Sequence, residues 1–535
     1  MRDKASKKEI RKRDFTSFSL NEFKQDLLFT DLDNKLSKMD DPSLMYDYFH
    51  STLSLLFEIH CPIKKLNRSE KKQLQKPWIT KSILEKTLVK EQLYDEYLRT
   101  GDTDIHKEYK ITSCSINKDI RNSKYHYHRK KFQAIKSNAK KMWKEANVLL
   151  GRSNSKSLPQ LMYRENKKLN SRKEIVNNFN DHYSKVAPNL LKNMKKGGNP
   201  LRYLESSDKS MFFAPVTPSE VSDYIKELNP AKAIDLFKFP TKIIKDIRHL
   251  ICTPLSMIIN KSVKKGIFPE KLKIAKVAPV FKSGNKLDIK NYRPISVLPL
   301  FDKIFEKAIN SRLTHFLDIN NVLCENQFGF QKGKSTADAV LKLSDEIYKS
   351  TRKKETCCTI LLDLAKAFDT VDHSILLNKL SAIGVRGPLH TWFKSYLTDR
   401  KQVVSVDSEI SDPILMKYGV PQGSVLGPTL FLIYINDITK STSKFKFTLF
   451  ADDTCLFMKH SDPKILEEMV NNELEHINNW LISNRLSLNI KKSCYLLFSG
   501  KKTIDNFIVR IAGTEMEKVS KAKYLGILVD DKLSW

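Results

Sequence analysis

The stretch KFKFTLFADDTCLF, residues 444–457, sets two aspartates side by side in a run that otherwise reads as buried strand. Phe445, Phe447, Leu449 and Ala451 alternate with Lys446, Thr448, Phe450 and Asp452, and Cys455, Leu456 and Phe457 resume the apolar run. That near period-2 pattern predicts a strand, with Ala451–Thr454 as a tight turn to a second one. A polar hairpin tip is the ordinary account of Asp452-Asp453. Adjacent carboxylates repel and are costly to desolvate, and a divalent cation is the usual reason to gather them, hard oxygen donors suiting Mg2+. A third carboxylate stands in CCTILLDLAKAFD, residues 357–369, where an unbroken apolar run carries the single charge Asp363. The run predicts a buried strand. Asp363 could cap a following AKAFD helix, but beside Asp452 and Asp453 it predicts carboxylates on one surface. Such a set suits two divalent ions ~3.5–4 Å apart for in-line nucleotidyl transfer.

Other stretches fit that chemistry. GVPQGSVLGP, residues 419–428, precedes a helical run, TLFLIYINDI; its glycines permit close backbone approach to a ligand, and Gln422 offers a polar group to a base or sugar. APVFKSG and NYRPISVLP bring in Lys282 and Arg293, cations able to neutralise a triphosphate. ENQFGFQKGKST adds Lys332 and Lys334 in a glycine turn, without the spacing of an ATPase P-loop.

The chain that must position these groups has 535 residues, 41% of them hydrophobic, so it can build a sizeable core. Its net charge of +32 points to a polyanion partner, above all nucleic acid. Residues 101–200 alone hold 23 basic and 8 acidic side chains. The eight cysteines form no CxxC or zinc pattern and point to a reducing, intracellular compartment. No apolar stretch reaches membrane-span length, so no membrane partner is expected. Met1–Phe15 lacks a secretory signal, and its KKEIRKR could serve nuclear import. LMYDYFHSTLSLLFEIH predicts a helix, and residues 80–150 predict a helical region in which YHYHRKK mixes aromatics with bases as nucleic-acid surfaces do. His126 and His128 within it read as surface residues. Residues 151–215 read as a linker, rich in Gly, Ser, Asn and Pro at GRSNSKSLPQ and KNMKKGGNP. A helix should start after Pro218-Ser219-Glu220, and strands and helices alternate from there.

The ordered set NYRPIS, QFGFQKGKST, LLDLAKAFDTVDH, GVPQGSVLGP, FADDT, LSLNIKKS and KYLGILVDDKLSW resembles the reverse transcriptase of non-LTR, jockey- and CR1-like retrotransposons, over roughly residues 215–535. The resemblance implies that Asp363, Asp452 and Asp453 are the catalytic, metal-binding aspartates, with the Leu364 carbonyl as a further ligand. It implies that Phe368 gates the sugar against a 2′-hydroxyl and that Gln422 and Gly423 form the nucleotide-pocket loop. Arg293 and Lys282 would lie near the triphosphate, and Lys492, or its neighbour Lys491, would protonate the leaving pyrophosphate. KYLGI, residues 523–527, resembles the primer-gripping turn. In place of the Pro-Gly-Pro-Asp-Gly-like turn of many relatives stands KAIDLFKFP, residues 232–240, which keeps Asp235 and Pro240 but no glycine. The resemblance further implies that an upstream endonuclease is lacking and that the chain stops as a thumb begins.

The expected fold is α+β, a right-hand polymerase of fingers and antiparallel palm sheet behind a basic, mostly helical N-terminal extension. The expected divisions are a connector at 1–75, a basic helical extension and linker at 76–214, and the polymerase at 215–535, its core at about 262–530. The implied function is RNA-directed DNA polymerase, with two Mg2+ ions (or Mn2+), an RNA template, a DNA primer and dNTPs, and no obligate protein partner. It would work in nucleus and cytoplasm within the element's ribonucleoprotein. The alternatives are an RNA-dependent RNA polymerase, against which Phe368 and FADDT argue, and a catalytically dead nucleic-acid-binding remnant.

Overall fold

The computed structural model describes residues 11–65, 76–150, 158–230, 235–499, 504 and 506–532, apart from positions 160, 166, 193, 196 and 408. Most of KKEIRKR and of GRSNSKSLPQ, and residues 232–234 of KAIDLFKFP, lie outside the described residues. The chain forms two compact units, one of the segment before Ser19 with His60–Leu158, the other of Ser19–Ile59 with Pro159–Trp535.

The first unit pairs strands Arg11–Arg13 and Ile63–Lys65 and is otherwise helical, as the sequence of residues 80–150 predicts. Lys81–Thr100 and Thr103–Ala134 form a helical hairpin and Ala139–Leu149 a third helix. Gly101 turns the hairpin in the left-handed region at φ 69°, and Asp102 caps the second helix by accepting from the Asp104 amide at 2.8 Å. His126 is exposed, but His128 is buried against Trp78, with Nδ1 3.5 Å from Glu145. Its helical spacing hid those partners, which come from distant segments.

In the second unit, helix Pro42–His60 carries Met45, Tyr46, Phe49, Leu53, Leu56 and Phe57 on one apolar face. That face packs with the later chain, Phe49 edge-on to Phe301 at 5.2 Å, so this helix belongs to the core of the larger unit. The expected linker is also structured. Helix Arg172–Lys192 buries Ile175, Val176, Phe179, Tyr183 and Ala187, an i, i+4 stripe that the breaker-rich ends of the stretch obscured. Its fully buried Asn180 donates to the carbonyls of Gln402 and Asp412 at 3.2 and 2.7 Å. The helix predicted after Pro218 forms as Pro218–Lys226, closed by a Thr217–Glu220 capping box.

Two five-stranded sheets dominate. One runs Lys446–Phe450, Asp453–His460, Thr356–Leu362, Cys494–Phe498, Glu517–Lys518. Its first four strands are antiparallel, as expected; the short edge pair is parallel. The other runs Ile414–Leu415, Lys401–Val406, Ile274–Phe281, Tyr292–Val297, with Glu409–Ile410 added beside Lys401–Val406. TLFLIYINDI contributes to helix Leu426–Ile435, buried on all sides, as a helix apolar all round must be. Among the described residues no helix is long and apolar enough to cross a membrane.

Candidate active site

Strand Thr356–Leu362 is buried almost throughout, and Asp363 lies at the point where the chain leaves it. A carboxylate within the strand would be desolvated without compensation; at its end it keeps solvent access. The neighbouring strand pairs Thr454 with Leu362, so the antiparallel register sets Asp453 across from Asp363. Phe450 pairs with Asp453, which leaves Ala451 and Asp452 as a two-residue turn, tighter than the predicted Ala451–Thr454. All three aspartates therefore gather at one end of one sheet.

The turn is held from outside the hairpin. Ala451 is left-handed at φ 55°, a conformation that costs a non-glycine residue on the order of 1 kcal/mol. Gln327 Oε1 accepts from the Ala451 amide at 3.0 Å and the Gly329 amide at 2.9 Å. The chain around it laces the edge of Lys446–Phe450, Leu449 N donating to Asn326 O at 2.9 Å and Phe328 N to Leu449 O at 2.8 Å. A Cβ on Gly329 would fall 2.4 Å from the Ala451 nitrogen, so only glycine lets the two backbones approach.

Asp363 is held by LSLNIKKS. Asn489 Nδ2 donates to Asp363 Oδ2 at 2.8 Å, Ser493 Oγ accepts from the Asp363 amide at 3.1 Å, and Lys492 Nζ stands 3.9 Å from Oδ2. Asn489 N donates to Asp363 O, and Ala365 N to Ser487 O, both at 2.8 Å. The Leu364 carbonyl lies outside that ladder. Asp363 caps no helix; AKAFD forms only the 3-10 turn Ala367–Asp369.

The carboxylates oppose one another electrostatically. Burial, then the charge of Asp363, pushes the Asp452 carboxyl up, against its own backbone amide and Arg293. Asp453 keeps solvent exposure, yet the surrounding protein mass and then Asp452 and Asp363 push it up to about 6. Neither Asp452 nor Asp453 has a cationic partner within ion-pair distance among the described residues. Among those residues no three His, Cys, Asp or Glu side chains are close enough to hold a metal ion unaided. Mutually repelling oxygen donors with only a loose ammonium contact nevertheless fit a divalent cation whose remaining ligands come from a substrate.

Cations gather nearby. The charge of Lys492, then burial, Arg293 and Lys366, holds the Lys282 ammonium below its usual range, so three other cations act on it. Arg293 sits exposed on strand Tyr292–Val297 and Lys282 just past strand Ile274–Phe281. Lys332 is exposed, whereas Lys334 is tied to the carbonyls of Glu325 and Gln327, both at 2.8 Å, and braces its own loop.

The GVPQG loop closes beside them. Gln422 O accepts from the Ser296 amide at 3.1 Å, and Gln422 Nε2 donates to Asp369 Oδ1 at 2.8 Å. Gly423 is left-handed at φ 119°, and a Cβ there would meet Ser296 O at 2.6 Å. Phe368 stacks on Phe431 with centroids 4.5 Å apart, and its carbonyl accepts from Val420 N at 2.9 Å. Sequence reasoning missed Gln327, Asn489, Ser493 and Lys366. All lie in stretches singled out for other residues, and none shows its role until distant segments pair.

Residues 280–529 match the family model described as reverse transcriptase (RNA-dependent DNA polymerase). The chain is 29% identical over 339 residues to the probable RNA-directed DNA polymerase from transposon BS of Drosophila melanogaster, covering 61% of this chain and 37% of that protein. It is 28% identical over 330 residues to the corresponding X-element protein of the same fly, covering 61% and 36%. Against the RNA-directed DNA polymerase of mobile element jockey from Drosophila funebris it is 28% identical over 329 residues, covering 60% and 36%. The chain thus spans well under half the length of these relatives.

Proposed function

We propose that residues 280–529, which match the reverse transcriptase family model, work as the reverse transcriptase domain of a non-LTR retrotransposon, and that the chain copies an RNA template into DNA, extending a DNA primer with dNTPs. In this reading the sheet bearing the three aspartates is the palm and the sheet with Arg293 is part of the fingers of a right hand. The polymerase core then occupies about residues 262–530. The observation that carries the proposal is the register that sets Asp363 across from Asp453, with Asp452 in the adjoining turn, Lys492 3.9 Å from Asp363 and the charge of Arg293 acting on Asp452.

Reverse transcriptases use divalent metal ions; here Asp363, Asp452, Asp453 and the Leu364 carbonyl would hold two Mg2+, with Mn2+ as a substitute. Bound there, such ions supply activation of the primer 3′-hydroxyl and charge neutralisation at the leaving pyrophosphate. The chain's own groups do the rest. Asn489 and Ser493 fix Asp363, and Gln327 fixes the turn that carries Asp452. Arg293, Lys282 and Lys366 offset the triphosphate charge, so positioning and electrostatics dominate the rate enhancement. Lys492 Nζ is the proton source for the pyrophosphate. Gln422 and Gly423 present the pocket loop to the incoming nucleotide. The Phe368 ring, braced by Phe431, excludes a 2′-hydroxyl and so selects dNTPs. The enzyme would act inside the cell, in nucleus and cytoplasm, consistent with eight free cysteines.

The test is primer extension on an RNA template with dNTPs and Mg2+, the parent beside Asp452→Asn, with RNA binding measured in parallel. Synthesis lost with binding retained supports the proposal. Equal synthesis by Asp452→Asn overturns the catalytic assignment, and extension with NTPs alone points to an RNA-dependent RNA polymerase.

A further inference from the structure

The first compact unit lies outside residues 280–529, and its charge is strongly polarised. Residues 81–110, which include the Gly101 turn, hold six basic and seven acidic side chains. Residues 118–144 hold ten basic side chains and one acidic one, Asp119. Asp119 is already engaged, 2.6 Å from Lys86. Residues 118–144 are thus a strongly cationic stretch, whereas the stretch before them is near-neutral.

The cationic end is organised as a surface. On helix Thr103–Ala134, Lys118, Arg121, Tyr125 and Arg129 fall at i, i+3, i+7 and i+11, one stripe roughly 16 Å long. All four are exposed, Tyr125 by 62%. On helix Ala139–Leu149, Trp143 is 70% exposed between the exposed Lys141 and Lys144. Exposing an indole costs hydrophobic stabilisation, and the cations, of which Lys131 is paired with Glu145 at 2.8 Å, far outnumber the acidic groups beside them and repel one another. A ligand that carries phosphates at regular intervals and offers flat rings to stack upon relieves both, and single-stranded nucleic acid does so irrespective of sequence. Duplexes hide their bases and leave the aromatics unused.

We propose that residues 118–144 form a separate binding surface for single-stranded RNA, with Lys118, Arg121 and Arg129 on phosphates and Tyr125 and Trp143 stacking on bases. The choice of RNA over single-stranded DNA rests on the proposed reverse transcriptase activity; the surface itself does not.

The test uses the full chain and fluorescein-labelled, unstructured 20-nucleotide RNA, with anisotropy followed across a salt series. Three variants are compared: Lys118→Gln/Arg121→Gln/Arg129→Gln, Tyr125→Ala/Trp143→Ala, and a control toward the Gly101 turn, Arg99→Gln/Lys107→Gln/Lys110→Gln. Each lost phosphate contact should lower the slope of log K against log salt by about 0.7. The triple cationic variant should therefore lose about two units of slope and bind at least tenfold more weakly at low salt. The aromatic pair should weaken binding by a similar factor with the slope unchanged, since stacking contributes ~1–3 kcal/mol per base. The control should match the parent. Equal weakening by the cationic variant and the control, or no change with either surface variant, overturns the proposal, as does tighter binding of duplex RNA than of the single strand. Tighter binding of single-stranded DNA than RNA overturns the RNA assignment. Primer extension on a short pre-annealed substrate separates the two proposals: an inactive parent whose RNA binding still depends on 118–144 defeats the polymerase assignment alone.

Discussion

Asn489 holds Asp363 by a 2.8 Å bond from its side-chain amide to Oδ2, the same carboxylate oxygen that Lys492 approaches at 3.9 Å. Hydrogen bonds to charged groups contribute roughly 1.5–3 kcal/mol. Asn489→Ala should therefore lower kcat of primer extension by about 10- to 100-fold while changing the melting temperature little. Asn489→Asp should cost more, by adding a like charge beside Asp363. Unchanged kcat in both variants would remove Asn489 from the account.

Gly329 lies where the QFGF segment meets the turn that carries Asp452. Its missing side chain leaves room for the Ala451 amide, which a Cβ would approach to 2.4 Å. Gly329→Ala should destabilise the protein by about 1–3 kcal/mol, the usual cost of overpacking, and abolish most synthesis. Gln327→Leu should cost a comparable amount, because two amides lose their acceptor at once. Thermal melting and primer extension together check both variants.

Phe368 is stacked on Phe431 rather than free to swing. Replacing it with Val should raise incorporation of NTPs relative to dNTPs by at least about tenfold, equivalent to ~1.4 kcal/mol of lost discrimination. Stability should fall modestly with the lost ring pair. A selectivity ratio that does not move would reduce Phe368 to a packing residue.

His50 gives the larger unit an acid-sensitive point. It packs against Phe237 at 4.4 Å and Phe239 at 5.2 Å, and burial, then the charge of Lys271, pushes its imidazole down to about 4. Unfolded, it titrates near 6.5. The unfolded chain therefore binds more protons between those values, so the stability contributed is complete above about 6.5 and is lost as pH falls toward 4. Up to about 3 kcal/mol is at stake. Denaturant unfolding of the parent and of His50→Leu at pH 7 and pH 4.5 should show a smaller pH-dependent loss in the variant.

What was legible in the sequence was local. The apolar run ending at Asp363, the alternation before Asp452 and the fully apolar helix after the GVPQG loop each announce an element within a dozen residues, because periodicity is set by the element itself. Gln327 was not legible, because its partner amide lies 124 residues away and nothing near ENQFGF marks it. Lys334 misled for the converse reason, a cation in a glycine turn that the fold uses to brace two carbonyls. Helix Arg172–Lys192 was hidden by the Gly, Asn and Pro at its flanks, although Ile175, Phe179 and Tyr183 carried the right spacing. His128 looked exposed until Trp78 and Glu145 folded over it.

The central claim is that Asp363 and the Asp452-Asp453 turn work as one polymerisation centre. Its most direct test is cDNA synthesis on an RNA template with dNTPs and Mg2+, measured for the parent chain beside Asp363→Ala. The account predicts full-length cDNA from the parent and at least a thousandfold less from Asp363→Ala, with RNA affinity equal in the two. Comparable cDNA from both would contradict it.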